Sequence, residues 1–507
     1  MSGALLDIHD LRISRAGDGL EVLRGVSLKV RPGEVVGLAG ASGAGKTTLG
    51  LAALGHVRHG LRLSGGRVRL AGLPLFSLPE PELAALRAAQ LGYVAQNAAV
   101  SFNPTLRLMA QVGEAVLLHG LMGREDAEER ARLLGAALGL DGFDELARRF
   151  AHQLSGGQLQ RMMAVMAMTS RPGLIVLDEP ATALDADSQA RVAGIIARAV
   201  AESGAAALWI GHDPGLLAEV SRRICVMKDG RIIEEGAARK LARRPAHPYT
   251  QALWNAQAEP VAAADDAPVV LEARNIRASY GSGGAEVLHD VSISLRKGQT
   301  LALTGPSGSG KTTLGRVLAG LLRPDGGEVV FAGQSLPPLK RRSRQLRRRM
   351  QFMHQSADSA LNPAQRAEDI LLRPLRLFFG SRGEKARARA GELMEMVELD
   401  RKLLSRPVAQ LSGGQKQRLM LARALAAQPE VMICDETTSA LDPLTRRAIL
   451  RLLARMQEQH GIAMLFITHD MVSARSLAHH VAVMEQGRIG KHGPASEIFA
   501  APAASHG

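Results

Sequence analysis

The chain has 507 residues, too many for one ordinary hydrophobic core, so two or more domains are expected. A net charge of +14 favours contact with something anionic, whether nucleotide, nucleic acid or the cytoplasmic face of a membrane. An aromatic content of 3% leaves few rings for stacking along single-stranded nucleic acid, and the two cysteines, Cys225 and Cys434, each sit in an apolar run that reads as strand, which argues for buried reduced thiols against a disulfide or a metal site.

Residues 1–7 lack the charged start, apolar core and cleavage site of a signal peptide. No window reaches the roughly 18 consecutive apolar residues of a membrane span, so a soluble, cytosolic chain is expected, with any membrane part of its work supplied by another chain. Residues 5–14 and 26–30 alternate like half-buried strands. The apolar run 35–38 then leads into Gly40-Ala41-Ser42-Gly43-Ala44-Gly45-Lys46-Thr47-Thr48, which fits G-x-x-x-x-G-K-[ST] ahead of a helix-like segment. Glycines there let backbone N–H groups turn toward a polyphosphate, Lys46 reaches its outer phosphates, and the Thr47 hydroxyl suits Mg2+. The following helix adds its positive end.

The second half repeats this plan. Strand-like residues 269–278, 291–295 and 300–303 lead into Gly305-Pro306-Ser307-Gly308-Ser309-Gly310-Lys311-Thr312-Thr313. Lys311 follows Lys46 by 265 residues and Gln355 follows Gln96 by 259; the Ser412, Asp435 and His469 counterparts of Ser155, Asp178 and His212 all follow by 257. Length variation is therefore confined between the glycine loop and the Ser-Gly-Gly stretch. The Ala-, Asp- and Pro-rich residues 259–268 read as a linker, giving domains 1–258 and 269–507. Short apolar runs such as 174–177 and 207–210 between helical stretches predict a mostly parallel sheet covered on both faces. Arg-rich residues 340–344 and 347–349 read first as a solvated helix face, then as a contact for anionic lipid or a partner, and last as a nucleic-acid contact.

Two apolar strands end in acid pairs, Asp178-Glu179 and Asp435-Glu436. The first acid of each can hold the Mg2+ shell and the second can orient and deprotonate an attacking water. Leu154-Ser155-Gly156-Gly157-Gln158 and Leu411-Ser412-Gly413-Gly414-Gln415, followed by Gln160-Arg161 and Gln417-Arg418, open helices with a hydroxyl, unobstructed N–H groups and a positive end, a second anion-binding device. A nucleotide gripped by one half could be closed over by this device from the other.

On these motifs the chain resembles the ATP-binding subunit of an ATP-binding-cassette (ABC) transporter with both cassettes fused. The resemblance implies an α/β fold of two P-loop NTPase domains, each with a mostly parallel sheet core, an antiparallel β subdomain and a helical subdomain. It implies ATP and Mg2+ as ligands, Glu179 and Glu436 as catalytic bases, His212 and His469 as switch histidines contacting the γ-phosphate, and Gln96 and Gln355 as Q-loop glutamines joining Mg2+ and the nucleophilic water to a transmembrane partner. Ala183-Leu184-Asp185 and Ala440-Leu441-Asp442 are similar to D-loops. The two composite sites would pair Lys46 and Glu179 with Ser412 to Gln415, and Lys311 and Glu436 with Ser155 to Gln158. The resemblance further implies two permease subunits, a periplasmic or extracellular solute-binding protein, and a peripheral place at the cytoplasmic side of the inner membrane, with no nucleic acid.

Two departures stand out. Tyr280 lies where the family usually places a ring against adenine, whereas the first half has Arg15 there, so weaker ATP binding is expected at the Lys46 site. Thr437 replaces the first half's Pro180 and leaves the acids intact. Three segments, His247-Pro248-Tyr249-Thr250 with the following Ala252-Leu253, Ser101-Phe102-Asn103-Pro104 and Ala360-Leu361-Asn362-Pro363, are similar to the dipeptide, oligopeptide and nickel importers. The cysteine cluster of some relatives is absent, so no iron–sulfur centre is expected. Peptides are the first choice of cargo, with nickel, metal chelates, opines or glutathione open. A twin-cassette translation factor acting on ribosomes is the alternative of a different class, disfavoured by the short linker; a DNA-repair ATPase would need zinc cysteines or a coiled-coil insertion.

Overall fold

The computed structural model describes residues 3–181, 186–254, 267–280, 285–438 and 441–500. They form two compact units whose main division in sequence falls between residues 256 and 257. Most of the expected linker, residues 259–266, lies outside the described residues. Each unit is α/β and contains a six-stranded and a four-stranded sheet.

In the first unit the six-stranded sheet runs, in spatial order, Arg231–Ala237, Arg223–Lys228, Val35–Ala39, Ala206–Ile210, Leu174–Asp178 and Leu91–Val94. All neighbours are parallel except the edge strand Arg231–Ala237. The apolar runs have a simple cause. Side chains alternate across a strand, and here both faces are covered: Ile175 and Leu177 pack with Met162, Met163 and Ile196 on one side, while Leu174 and Val176 pack with Leu38, Leu49 and Leu208 on the other. The second unit repeats this, with Met432 and Cys434 facing one core and Val431 and Ile433 the other. Both cysteines are buried and free, and burial pushes their thiol pKa values up.

The alternating segments form the four-stranded antiparallel sheets. Strand Leu6–Arg15 buries Leu6, Ile8, Leu11 and Ile13 and pairs with Glu21–Val30. Strand Val269–Ser279 pairs likewise with Glu286–Arg296. Between Leu91–Val94 and Leu174–Asp178 the chain builds a helical region from Leu108–Val112, Glu114–Leu118, Arg124–Ala137, Phe143–Ala147 and Gly156–Met168. Asn103 makes a turn at its entry and Asn362 does so at the corresponding point of the second unit, each Oδ1 accepting a backbone N–H two residues on. Among the described residues no helix is long and apolar enough to cross a membrane.

The Arg-rich segment is only partly the solvated face expected. Lys340, Arg341, Arg344 and Arg347 are exposed, but Arg342 is 6% exposed. Its guanidinium donates to the carbonyls of Ala319 (2.9 Å), Leu318 (3.4 Å) and Pro337 (3.0 Å). The cause is the helix Lys311–Ala319, whose last carbonyls have no intrahelical donors. In the first unit Arg87 caps the corresponding helix through Leu54 O (3.0 Å) and Gly55 O (2.7 Å). Arg349 pairs with Glu430 at 2.6 Å, and Arg348 lies over the Phe379 ring.

Candidate active site

Each glycine loop joins a central strand to a helix, Val35–Ala39 to Lys46–Ala53 and Thr300–Thr304 to Lys311–Ala319. Gly40 passes so close to the next strand that a Cβ would lie 2.4 Å from Met227 O; at Gly305 the distance to Met484 O would be 2.0 Å. Gly45 and Gly310 cap the helices at φ 97° and 103°, a region that excludes most side chains. Lys46 Nζ folds back to Gly40 O (2.7 Å) and Ala41 O (2.9 Å), and Lys311 Nζ to Gly305 O (2.9 Å) and Pro306 O (2.7 Å). Burial pushes the Lys46 pKa down, while Glu179 and Asp178 pull it back up. The middle of each loop, Ser42 and Gly43 or Ser307 and Gly308, is exposed. The result is a cradle of backbone N–H groups at a helix N-terminus with an ammonium held at its edge, which fits a polyphosphate. Thr48 is half-buried and Thr313 buried in the first turn of these helices.

The acid pairs end strands Leu174–Asp178 and Val431–Asp435. Thr47 Oγ1 donates to Asp178 Oδ1 at 3.1 Å and Thr312 Oγ1 to Asp435 Oδ1 at 2.9 Å. Hydroxyl and carboxylate oxygens so placed are the hard donors that Mg2+ takes. Burial pushes both aspartate pKa values up, opposed by those threonine hydrogen bonds. In the first unit Tyr93 also donates to Asp178, at 3.3 Å, and its own pKa is pushed up to about 12 by burial and the carboxylate. Phe352 occupies the corresponding position of the second unit, since Tyr93 pairs with Val176 and Phe352 with Ile433.

Glu179 and Glu436 have φ of 50° and 47°, left-handed values that cost a non-glycine residue on the order of 1–3 kcal/mol. Backbone bonds to Ile210 O and Ile467 O hold them there. The turn brings each carboxylate to the same two partners. Gln96 Nε2 donates to Glu179 at 3.0 Å and Gln355 Nε2 to Glu436 at 2.7 Å; His212 Nδ1 lies 3.3 Å from Glu179 and His469 Nδ1 3.2 Å from Glu436. The His469 hydrogen bond holds the Glu436 pKa down, and the same bond raises that of His469. A carboxylate between an amide and an imidazole, beside a phosphate cradle, is placed to orient and deprotonate a water. Nothing in the sequence pattern disclosed the strained glutamates.

The Ser-Gly-Gly-Gln stretches open helices Gly156–Met168 and Gly413–Leu425 as capping boxes. Ser155 Oγ accepts from Gln158 N and Gln158 Oε1 from Ser155 N; Ser412 and Gln415 do the same. These bonds close within the motif and leave Ser155, Gly156, Ser412 and Gly413 exposed at the positive helix ends, with Gly157 and Gly414 behind them half-buried. The neighbouring Gln160 and Gln417 turn inward, to Ala95 O (3.0 Å) and Thr437 O, beside Gln96 and Glu436. Tyr280 directly follows strand Val269–Ser279, with 48% exposure and its hydroxyl 3.1 Å from Thr313 Oγ1, whereas Arg15 is an exposed partner of Asp18 at 3.6 Å. Of the expected D-loops, residues 183–185 and 440 lie outside the described residues.

Residues 23–182 and 288–439 match the ABC transporter family. The glutathione import ATP-binding protein GsiA of Escherichia coli (strain K12) is 34% identical over 551 residues, covering 99% of this chain and 88% of the relative. The peptidoglycan transport ATP-binding protein YejF of Agrobacterium fabrum (strain C58 / ATCC 33970) is 33% identical over 514 residues, covering 98% and 94%. A solved structure of cbiO1 from Clostridium perfringens, part of the ABC transporter complex cbiONQ, aligns with 46% of this chain and 91% of its own at 28% identity and a TM-score of 0.43. With both halves matched and relatives aligned along nearly its whole length, the chain belongs to the ABC transporter family, as a twin-cassette ATP-binding protein that hydrolyses ATP.

Proposed function

We propose that the chain powers an importer of small peptides or peptide-like solutes, with Glu179 and Glu436 as the bases that activate water for ATP hydrolysis. The observation that carries the catalytic assignment is the repeated geometry around each glutamate, which meets a glutamine, a histidine and a threonine–aspartate pair at the mouth of a phosphate loop. Thr47 and Asp178, or Thr312 and Asp435, would hold Mg2+, joined by Gln96 or Gln355, and the charge neutralisation it would supply is at the phosphates. Ser155 to Gln158 and Ser412 to Gln415 complete the opposite sites head to tail, so that ATP draws the cassettes together and hydrolysis releases them. With the chain peripheral at the cytoplasmic side of the inner membrane, two transmembrane permease subunits, reached near Gln96 and Gln355, and a solute-binding protein complete the machine.

The cargo reading rests on the His-Pro-Tyr-Thr segment and on the relatives' names. Glutathione and peptidoglycan both carry peptide bonds, which favours peptide-like cargo over nickel, metal chelates or opines. Uptake of labelled glutathione and short peptides in cells lacking the chain, restored by wild type and not by Glu179→Gln with Glu436→Gln, is the expected result. Unchanged uptake of every peptide, with loss of a nickel or opine signal, would replace the cargo; co-purification with ribosomes in place of permeases would replace the function.

A further inference from the structure

The His-Pro-Tyr-Thr segment has a physical task in the first unit. Glu234, on strand Arg231–Ala237, accepts the N–H groups of Ala246 (2.8 Å) and His247 (3.1 Å) and fixes the chain where it enters helix Pro248–Trp254. His247 Nδ1 accepts from Tyr249 N at 3.0 Å, and Pro248 stands at the first helical position, where no N–H is needed. Tyr249 is thereby aimed at the phosphate loop. Lys228 Nζ lies 5.3 Å from its ring centroid, and its hydroxyl accepts the N–H of Ala41 at 2.9 Å. Burial pushes the phenol pKa up, so at neutral pH it accepts as a neutral hydroxyl.

Ala41 is held from both sides, because its carbonyl is also one of the two that grip Lys46 Nζ. The second unit solves the same position by other means. Its counterpart is Pro306, which has no N–H to satisfy, while Pro306 O still grips Lys311 Nζ at 2.7 Å and Gly305 keeps a φ of 138° beside the 151° of Gly40. At this position one loop carries a donor and receives an acceptor from 208 residues away, and the other carries no donor.

We propose that Tyr249 is a positioning residue of the Lys46 site: its hydroxyl holds the Ala41 peptide so that the loop N–H groups and Lys46 face the phosphates. This rests on the reading of the Lys46 loop as an ATP site. The test uses the full chain carrying Lys311→Ala, which leaves the Lys46 loop as the measured site. In that background Tyr249→Phe keeps the ring and removes only the hydroxyl, and should weaken ATP binding about three- to tenfold, the worth of one such hydrogen bond. Ala41→Pro removes the donor as the second unit does, and adding Tyr249→Phe to it should change ATP affinity by less than about twofold. Hydrogen exchange gives a readout independent of the proline variant: Tyr249→Phe should speed exchange in residues 40–46 and leave the rest of the unit unchanged. Unaltered exchange there, unaltered ATP affinity, or an equal loss with and without Ala41→Pro each overturns the proposal. Complete absence of ATP binding in Lys311→Ala alone overturns the reading of the loop, and the proposal with it.

Discussion

The Lys46 and Lys311 sites share their acids, amides, imidazoles and glycines, yet they differ in where their tyrosines stand. The chain has three tyrosines, and each touches a residue of a glycine loop or of the acid pair beside it. In the first unit Tyr93 donates to Asp178 and Tyr249 holds Ala41. In the second unit Phe352 and Pro306 replace that donor and that N–H, and Tyr280 instead meets the helix behind the loop through Thr313. The groups that would touch phosphate, metal and water are duplicated almost atom for atom, whereas the groups that support them are not. Two sites of equal chemistry can therefore differ in affinity and in loop rigidity.

The largest expected effect tests what the sites have in common. Glu179→Gln with Glu436→Gln should lower steady-state phosphate release by about a hundredfold or more, the usual worth of a general base, and leave ATP bound. Near-normal turnover would remove both glutamates from that role. The single variants then sharpen the comparison by dividing the turnover between sites.

Next come the helix caps. Arg342→Ala leaves the carbonyls of Leu318 and Ala319 without their buried donor and should cost the second unit about 2–3 kcal/mol in chemical denaturation. Arg87→Ala, at a cap with an exposed Glu80 beside it, should cost less. Equal losses would make the two caps equivalent.

Smaller still, Tyr93→Phe converts the first unit to the second unit's arrangement and should cost about 1 kcal/mol, read by the same denaturation. No change would mean that the Asp178 bond contributes nothing net. The smallest signal is a titration in the Mg2+-free protein. His469 should titrate above the ordinary histidine value of about 6.5, because Glu436 favours its charged form. A raised folded-state value means that this contribution to stability is complete below the unfolded pKa and is lost as pH rises through the folded one. NMR of the ring protons in Glu436→Gln should show the midpoint fall; an unmoved midpoint would sever the pair.

Much of this could be read along the chain because its signals are local. A glycine loop, an apolar run ending in two acids and a Ser-Gly-Gly helix start each owe their chemistry to adjacent residues, so spacing alone located Lys46, Asp178 and Ser155 and their repeats. The remainder depends on contacts between distant residues. Arg342 sits in a run of arginines that looks solvated, yet the end of a helix about twenty residues earlier gives it two of the carbonyls it binds. Tyr249 read as a family mark because its partner Ala41 lies 208 residues away. The left-handed backbone of Glu179 and Glu436 is imposed by the neighbouring strand and leaves no trace in residue type.

The most direct test of the claim that the two sites differ is ATP affinity measured separately in Lys311→Ala, which leaves the Lys46 site, and in Lys46→Ala, which leaves the Lys311 site. Ring stacking on adenine by Tyr280, set against a cation–π contact from Arg15, predicts that the Lys46 site binds ATP about threefold or more weakly. Equal affinities in the two variants, or tighter binding at the Lys46 site, would contradict the account.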